Sequence, residues 1–407
     1  MIRTNVPTTS IGSRASSRAA LIAAFVLGSV GAGGFTLLPV TLPALQDAFD
    51  LSNGAVGLVS TLELIGVTSG ALTAGVLVHR LPTRPFAITT MSVLLACGLA
   101  TMLVNQIAVL AAVRLVDGVM AGAAQVICYS IIARSADRPD RRFALLAIFP
   151  LIYGTVFFWF VPRFEHAVGW HASFIVLCVT DLVGLVASFW IGQLAHDRSD
   201  AVRPSITHAL PPVRGLISLG SIALYYVGVC AIYAFAFNMG VKMTGSDTIP
   251  GTILSLSQFV GMIGCVLAMA SANRISRRAG ILSGMGVTIL GTAFLFAGEG
   301  VGYYLFAMLA INLAWNYLAG PHIGAVVTMD GRGVTAGFLP VTINGGAALG
   351  PLLGFTVSGD DYGLLLGTAV GLTFVSGAMI LVALRGHSDL AHGGPVLEEK
   401  AVVDLAI

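Results

Sequence analysis

Four ionisable side chains lie inside long apolar runs: Glu63, Arg114, Asp117 and Asp181. Burying an ionised group in lipid costs several kcal/mol, so such groups persist mainly where a function needs them. Arg114 and Asp117 are three residues apart and share a helix face, where the carboxylate can neutralise the guanidinium. At about 1.5 Å per helical residue, Glu63 lies roughly 13 Å and Arg114 roughly 10 Å below the same edge of the apolar layer. Asp117 is about 5 Å deeper, and Asp181 is roughly 14 Å into its own run. A carboxyl that exchanges an arginine partner for a proton breaks the ion pair and shifts a conformational balance. Glu63, Arg114 and Asp117 are therefore expected to form a proton-coupling centre, the alternative being a purely structural pair. Asp181 is expected to be structural.

A second set of residues is polar but neutral. Arg114, Gly118, Gly122, Gln125 and Tyr129 stand at offsets of 0, 4, 8, 11 and 15, on one helical face, which points to a water-accessible cavity. The second half of the chain supplies Tyr226, Tyr233, Gln258, Asn312, Trp315, Asn316 and Asn344. With Gln125 and Tyr129, these are the expected substrate-binding residues. His322 titrates near neutral pH in water, but a hydrogen-bonded structural histidine is expected. The five cysteines each sit in an apolar run and read as packing residues, without disulfide or metal-knuckle spacing. Only two lysines occur, Lys242 and Lys400, and neither belongs to a P-loop, which argues against an ATP-driven pump. No HExxH pair and no convincing GxSxG serine supports an enzyme, and no cofactor or metal is implied.

These residues are carried by an extremely apolar chain. Of 407 residues, 56% are hydrophobic and 10% charged, whereas a soluble domain has about a quarter charged. Lipid must be the solvent over most of the length. Runs of roughly 20 apolar residues predict twelve transmembrane helices, about 19–43, 54–78, 86–104, 107–133, 143–162, 172–194, 216–239, 250–272, 279–298, 302–328, 334–357 and 362–385. Eighteen basic residues fall on one side of this layout: Arg3, Arg14, Arg18, Arg80, Arg84, Arg134, Arg138, Arg141, Arg142, Arg198, Arg203, Arg214, Arg274, Arg277, Arg278, Arg332, Arg385 and Lys400. Arg163 and Lys242 fall on the other. The asymmetry predicts cytoplasmic termini in a cell membrane, with the bacterial cytoplasmic (inner) membrane expected. The layout divides into a basic tail (1–18), a six-helix bundle (19–194), a proline-bearing linker (195–215), a second six-helix bundle (216–386) and a C-terminal tail (387–407).

The halves echo one another. Gly75, Leu77, His79, Arg80 and Arg84 follow the second span, and Asn273, Arg274, Arg277 and Arg278 follow the eighth. The first group resembles the loop signature G-x-L-x-D-R-x-G-R of the major facilitator superfamily, with His79 and Pro82 where the family has aspartate and glycine. Arg114-Leu-Val-Asp117-Gly118 is similar to the family's R-x-x-Q-G, and Gly169-Trp170 fits its entry to span six. Gly346-Ala-Ala-Leu-Gly350-Pro351-Leu-Leu-Gly354 has the form that family exporters carry in span five, but here it lies in span eleven. Aromatic-acid importers of the family carry acidic residues in span one; the run 19–43 has none, which counts against that branch. The resemblance implies an all-α membrane protein of two pseudo-symmetric six-helix bundles. It implies secondary active transport of a small organic solute by alternating access, here expected to be coupled to protons, with one chain sufficing as a monomer. His79, Arg80, Arg84, Asn273 and Arg274 become the expected gating residues. A non-transporting receptor or assembly factor on the same fold is the alternative, and a membrane-embedded enzyme a weaker one.

Overall fold

The structure is a computed structural model that describes residues 11–78, 80–134, 139–191, 211–271, 274–327, 329, 334–359 and 361–385. The expected gating residues His79 and Asn273, most of the linker and most of both tails lie outside these residues. The described chain is nearly all helix. The first segment is α1 (Ile11–Gly31), α2 (Gly33–Thr36) and α3 (Leu38–Phe49). Then come α4 (Asn53–Leu77), α5 (Thr83–Leu103), α6 (Ile107–Arg134), α7 (Pro139–Val168) and α8 (His171–Ser188). The second half holds α9 (Val213–Ala234), α10 (Ala236–Thr244), α11 (Ile249–Ser271), α12 (Arg277–Ala297) and α13 (Val301–Val327). It ends with α14 (Val334–Gly337), α15 (Leu339–Leu349), a 3-10 turn (Pro351–Thr356) and α16 (Gly363–Ala383). Nine of the described helices are long and apolar enough to cross a membrane singly. With α7 as span five, and spans one and eleven crossing as broken helices, the segments come to twelve. Span seven continues past α9 into α10.

The breaks depart from the continuous spans expected, and those of spans one and eleven fall at glycines and prolines. Span one is interrupted between Gly31 and Leu37, where glycines cluster, and Pro39 and Pro43 follow. It also starts earlier and runs later than 19–43, so Asp47 lies on its last turn. Span seven breaks at Phe235, and span eleven at Phe338 and before Pro351. A missing side chain or a missing N–H frees the backbone at the glycines and prolines, and in lipid such freedom survives only against protein or a cavity. Elsewhere the ends are conventionally capped: the Ser52 hydroxyl accepts the Ala55 N–H, and that of Ser276 accepts the Ala279 N–H. Gly169 takes φ +65 in the turn between α7 and α8, where a Cβ would be strained.

Within each half the tightest pairings are equivalent, α4 with α6 and α11 with α13. Both are small-residue seams. Gly66 and Gly70 lie on the backbone of Leu115 and Val119, while Gly118 and Gly122 lie on the carbonyls of Glu63 and Val67. In the other half Gly264 lies on the Leu313 carbonyl and Gly261 beside Asn312 and Asn316. The span-eleven glycine motif packs similarly, Gly346 on α9 at Ala223 and Gly350 at Cys230 and Ala231.

The halves meet chiefly where α7 lies along α11, and where α4 lies along α15 and the 3-10 turn. Hydrogen bonds between them cluster at the end remote from Arg80 and Arg274. Asn238 donates to Gln46 (2.6 Å), Asn53 to the Gly359 carbonyl (3.0 Å), Arg163 to Thr252 (3.0 Å) and Ser255 to the Thr155 carbonyl (2.5 Å). At about 1 kcal/mol net apiece, such bonds make a seal that can reopen. The side chains of Arg80 and Arg274, at the opposite end, make no hydrogen bond or ion pair among the described residues. The bundle is therefore closed at the remote end.

Candidate functional site

The α4–α6 seam brings two backbones close enough for Glu63 and Arg114 to meet. Arg114 donates from Nη2 to Glu63 Oε1 (2.5 Å) and from Nε to Oε2 (3.0 Å), a two-pronged pairing, and Nη1 lies 3.3 Å from Asp117 Oδ2. The guanidinium also lies 5.7 Å from the Phe174 ring centroid, and Arg114 is only 1% exposed. The three residues expected to form one centre thus stand together. Asp181, on α8, is likewise buried but has no ion pair within 4 Å among the described residues. Over the pair sits the broken turn of span one: a Cβ at Gly34 would lie 2.6 Å from Glu63 Oε1.

The expected polar stripe along α6 is corrected. Gly118 and Gly122 face α4 and exclude water instead of lining a cavity, because glycine at that spacing serves close helix approach. Tyr129, at the end of the stripe, is 44% exposed and is not on the cavity wall. Gln125 is on it, donating to the Gly31 carbonyl (2.9 Å).

A cavity of about 280 Å³ opens between the halves. From the second half come Tyr226, Tyr233, Gln258, Asn312, Trp315, Asn316 and Asn344, all seven expected from sequence, and Ile343 and Ala347, which were not. Sequence reasoning missed most of the first half's share: Ala32, Phe35, Thr36, Leu64, Val67, Pro150 and Leu151. The signal available was the glycine cluster before Phe35, which announces a break. Trp315 is the hub. Tyr233, Tyr226 and Phe35 rings lie 5.3, 6.1 and 6.1 Å from it, at 82°, 85° and 82°. Tyr233 closes the cavity floor: its hydroxyl donates to the Thr36 carbonyl (2.6 Å) and accepts from Gln258 (3.2 Å), tying the halves together. Asn312 donates to Ser257 (3.1 Å), and Asn316 to Asn312 (3.0 Å). His322 lies outside this wall, buried and hydrogen-bonded to Ser221 (2.9 Å), as expected of a structural residue. Of the expected gating residues, Arg84 lies 6.0 Å from the Phe189 ring in its own half. The cysteines are free, and four of the five are buried.

An ion pair deep in one half and a largely apolar cavity studded with neutral polar groups between two halves match a known pattern. The family model of the Major Facilitator Superfamily matches residues 23–351. The chain belongs to this superfamily. It is therefore an integral membrane protein. A gallate transporter of Pseudomonas putida is 24% identical, over 86% of this chain and 87% of the relative. Solved structures share the fold. The nucleoside transporter NupG superposes with TM-score 0.74 at 13% identity, covering 91% of this chain and 99% of that one. The xylose transporter XylE of E. coli, inward open, gives 0.73 at 15% identity, covering 95% and 99%. A further match is a D-xylose-proton symporter, TM-score 0.72 at 16% identity over 92% and 98%. The gallate relative bears on one expectation: the missing acids of run 19–43 do not keep the chain from resembling a transporter of an aromatic acid.

Proposed function

We propose that this protein is a secondary transporter that moves a small organic solute by alternating access, coupled to protons through Glu63, Arg114 and Asp117. The observation that carries the reading is a cavity with neutral polar groups at the interface of two six-helix halves, sealed at one end and adjacent to a buried ion pair. The chain's similarity to a gallate transporter and to solved sugar and nucleoside transporters supports a small solute, and one of these is a proton symporter. Basic-loop asymmetry supports cytoplasmic termini, which makes the sealed end the outer one and this conformation inward-facing. A thiol reagent applied to intact cells should then label Asp247→Cys and spare a cysteine at Arg203; the reverse pattern would overturn the orientation.

Coupling follows from the cost of an unpaired charge in lipid. If span one moves when solute binds, Arg114 loosens its hold and Glu63 is left facing a penalty of several kcal/mol unless it takes a proton. Neutralised, it no longer resists the rocking of the halves. Glu63→Gln fixes the neutral state. In proteoliposomes it should retain solute exchange and lose accumulation driven by a pH gradient. Full accumulation by Glu63→Gln would place coupling elsewhere; absence of flux in the parent for gallate and for neutral hydroxylated rings alike would remove the transporter reading in favour of a receptor role.

A further inference from the structure

We infer that the cavity selects an uncharged, hydroxyl-bearing ring; this rests on the transporter reading above and names the solute class of the same site. Three features of the wall lead there. The first is charge: none of the residues lining the cavity is ionised, and Arg114, the nearest buried cation, has both prongs committed to Glu63 and its remaining nitrogen to Asp117. A carboxylate brought into this space would be desolvated without a fixed cation to receive it.

Hydrogen-bonding capacity is the second feature. Gln125 spends one amide N–H on the Gly31 carbonyl, which fixes its orientation and leaves its oxygen and its second N–H open. The Tyr233 hydroxyl donates to Thr36, so Gln258 must be the donor to Tyr233, and its oxygen too is left open. Asn312 donates one N–H to Ser257, and Asn316 donates to the Asn312 side-chain oxygen, so Asn312 keeps its second N–H. Asn344 finds no partner among the described residues. The wall therefore offers vacant acceptors and vacant N–H donors together, because each amide keeps at least one further group after these bonds. That mixture suits hydroxyl groups, which both donate and accept; a carboxylate only accepts and would leave the open amide oxygens unmet.

The third feature is shape. The three aromatic rings share nearly the same tilt to Trp315, at 82°, 85° and 82°. The walls are flat surfaces in perpendicular planes, and such walls fit a ring through stacking and edge contacts better than an open chain. Sugars and phenols both present a hydroxylated ring, and the experiment separates them.

The test uses the full-length purified protein with Trp159, Trp170 and Trp190 changed to Phe, so that Trp315 is the sole indole reporter; thermal unfolding of the unmodified chain provides a second readout. Four ring solutes are compared in neutral and acid pairs: catechol with 3,4-dihydroxybenzoate, and glucose with glucuronate. Ribitol serves as the open-chain control. One neutral ring should shift Trp315 emission and raise the unfolding temperature, binding at least ~10-fold more tightly than its acid partner and than ribitol. Asn344→Ala should weaken that binding. The inference is overturned if an acid binds as tightly as its neutral partner, if ribitol matches the rings, or if no neutral ring registers in either readout. Failure here is separable from failure of the transporter reading: acid-driven accumulation of a carboxylate in proteoliposomes would sink the former alone, and a neutral ring that binds without crossing would sink the latter alone.

Discussion

Replacing Gly57 with alanine tests how the remote end is sealed. Gly57 on α4 packs directly on the backbone at Pro351, where span eleven turns. An added Cβ would stand 3.0 Å from the Pro351 carbonyl carbon and nearer still to its oxygen. Backbone cannot rotate away as a side chain can, so the clash is relieved only by parting the halves. Overpacking of this kind costs about 1–3 kcal/mol. The cost applies only to the closed form, so the population open at the remote end should rise about 5- to 150-fold. Ser255→Cys, in a background without the native cysteines, gives a reporter: Ser255 is buried between the halves against Thr155. An impermeant maleimide should label it faster in Gly57→Ala by that factor. Gly75→Ala, on the same helix with open space around it, should leave the rate unchanged. A parental rate in Gly57→Ala, or equal acceleration in Gly75→Ala, would refute the reasoning.

Two further expectations use the same reporter. Tyr233→Phe removes the hydroxyl that bridges Thr36 and Gln258, costing the closed state about 1 kcal/mol and raising labelling about fivefold; an unchanged rate would mean that bond does not hold the floor. Glu165 lies beyond the apolar run 143–162 and accepts a hydrogen bond from Ser173 (3.3 Å). Burial pushes its carboxyl up to about 7, opposed by the Ser173 bond and assisted by Asp47 and by Asp247 of the other half. Because the value is raised in the sealed state, the bound proton favours closure at low pH and is lost as pH rises through about 7. Labelling should therefore climb with pH across this window, and Glu165→Gln should flatten the climb; a parental pH profile in that variant would exclude the carboxyl.

The span layout was legible because lipid imposes a crude constraint, about 20 apolar residues per crossing, and basic loops alternate with it. The second half's cavity wall was legible too: Asn312, Trp315 and Asn316 are unusual in an otherwise apolar helix, and a polar side chain there has few places to go but inward. Glycine was harder to read. The same spacing along α6 fits a wet face or a dry seam, and only the partner helix decides. Breaks at Gly31–Leu37, Phe235 and Pro351 were missed because apolar composition continues through them. Consequently Phe35 and Thr36, which the break turns inward, escaped notice.

The α4–α6 seam limits how the ion pair can be parted. With Glu63 and Val67 carbonyls resting on Gly118 and Gly122, the two helices cannot slide without losing backbone contact along four glycines. What can move is the turn of span one over Glu63 Oε1, whose neighbours Phe35 and Thr36 touch the cavity. With Glu63 as the proposed proton carrier, the fit of that turn would govern leakage: a tight lid would deny protons a route when no solute is present, and a loose one would dissipate the gradient without work. Thrift in energy use, on this account, is set by the absence of a side chain at Gly34 as much as by the charges beneath it.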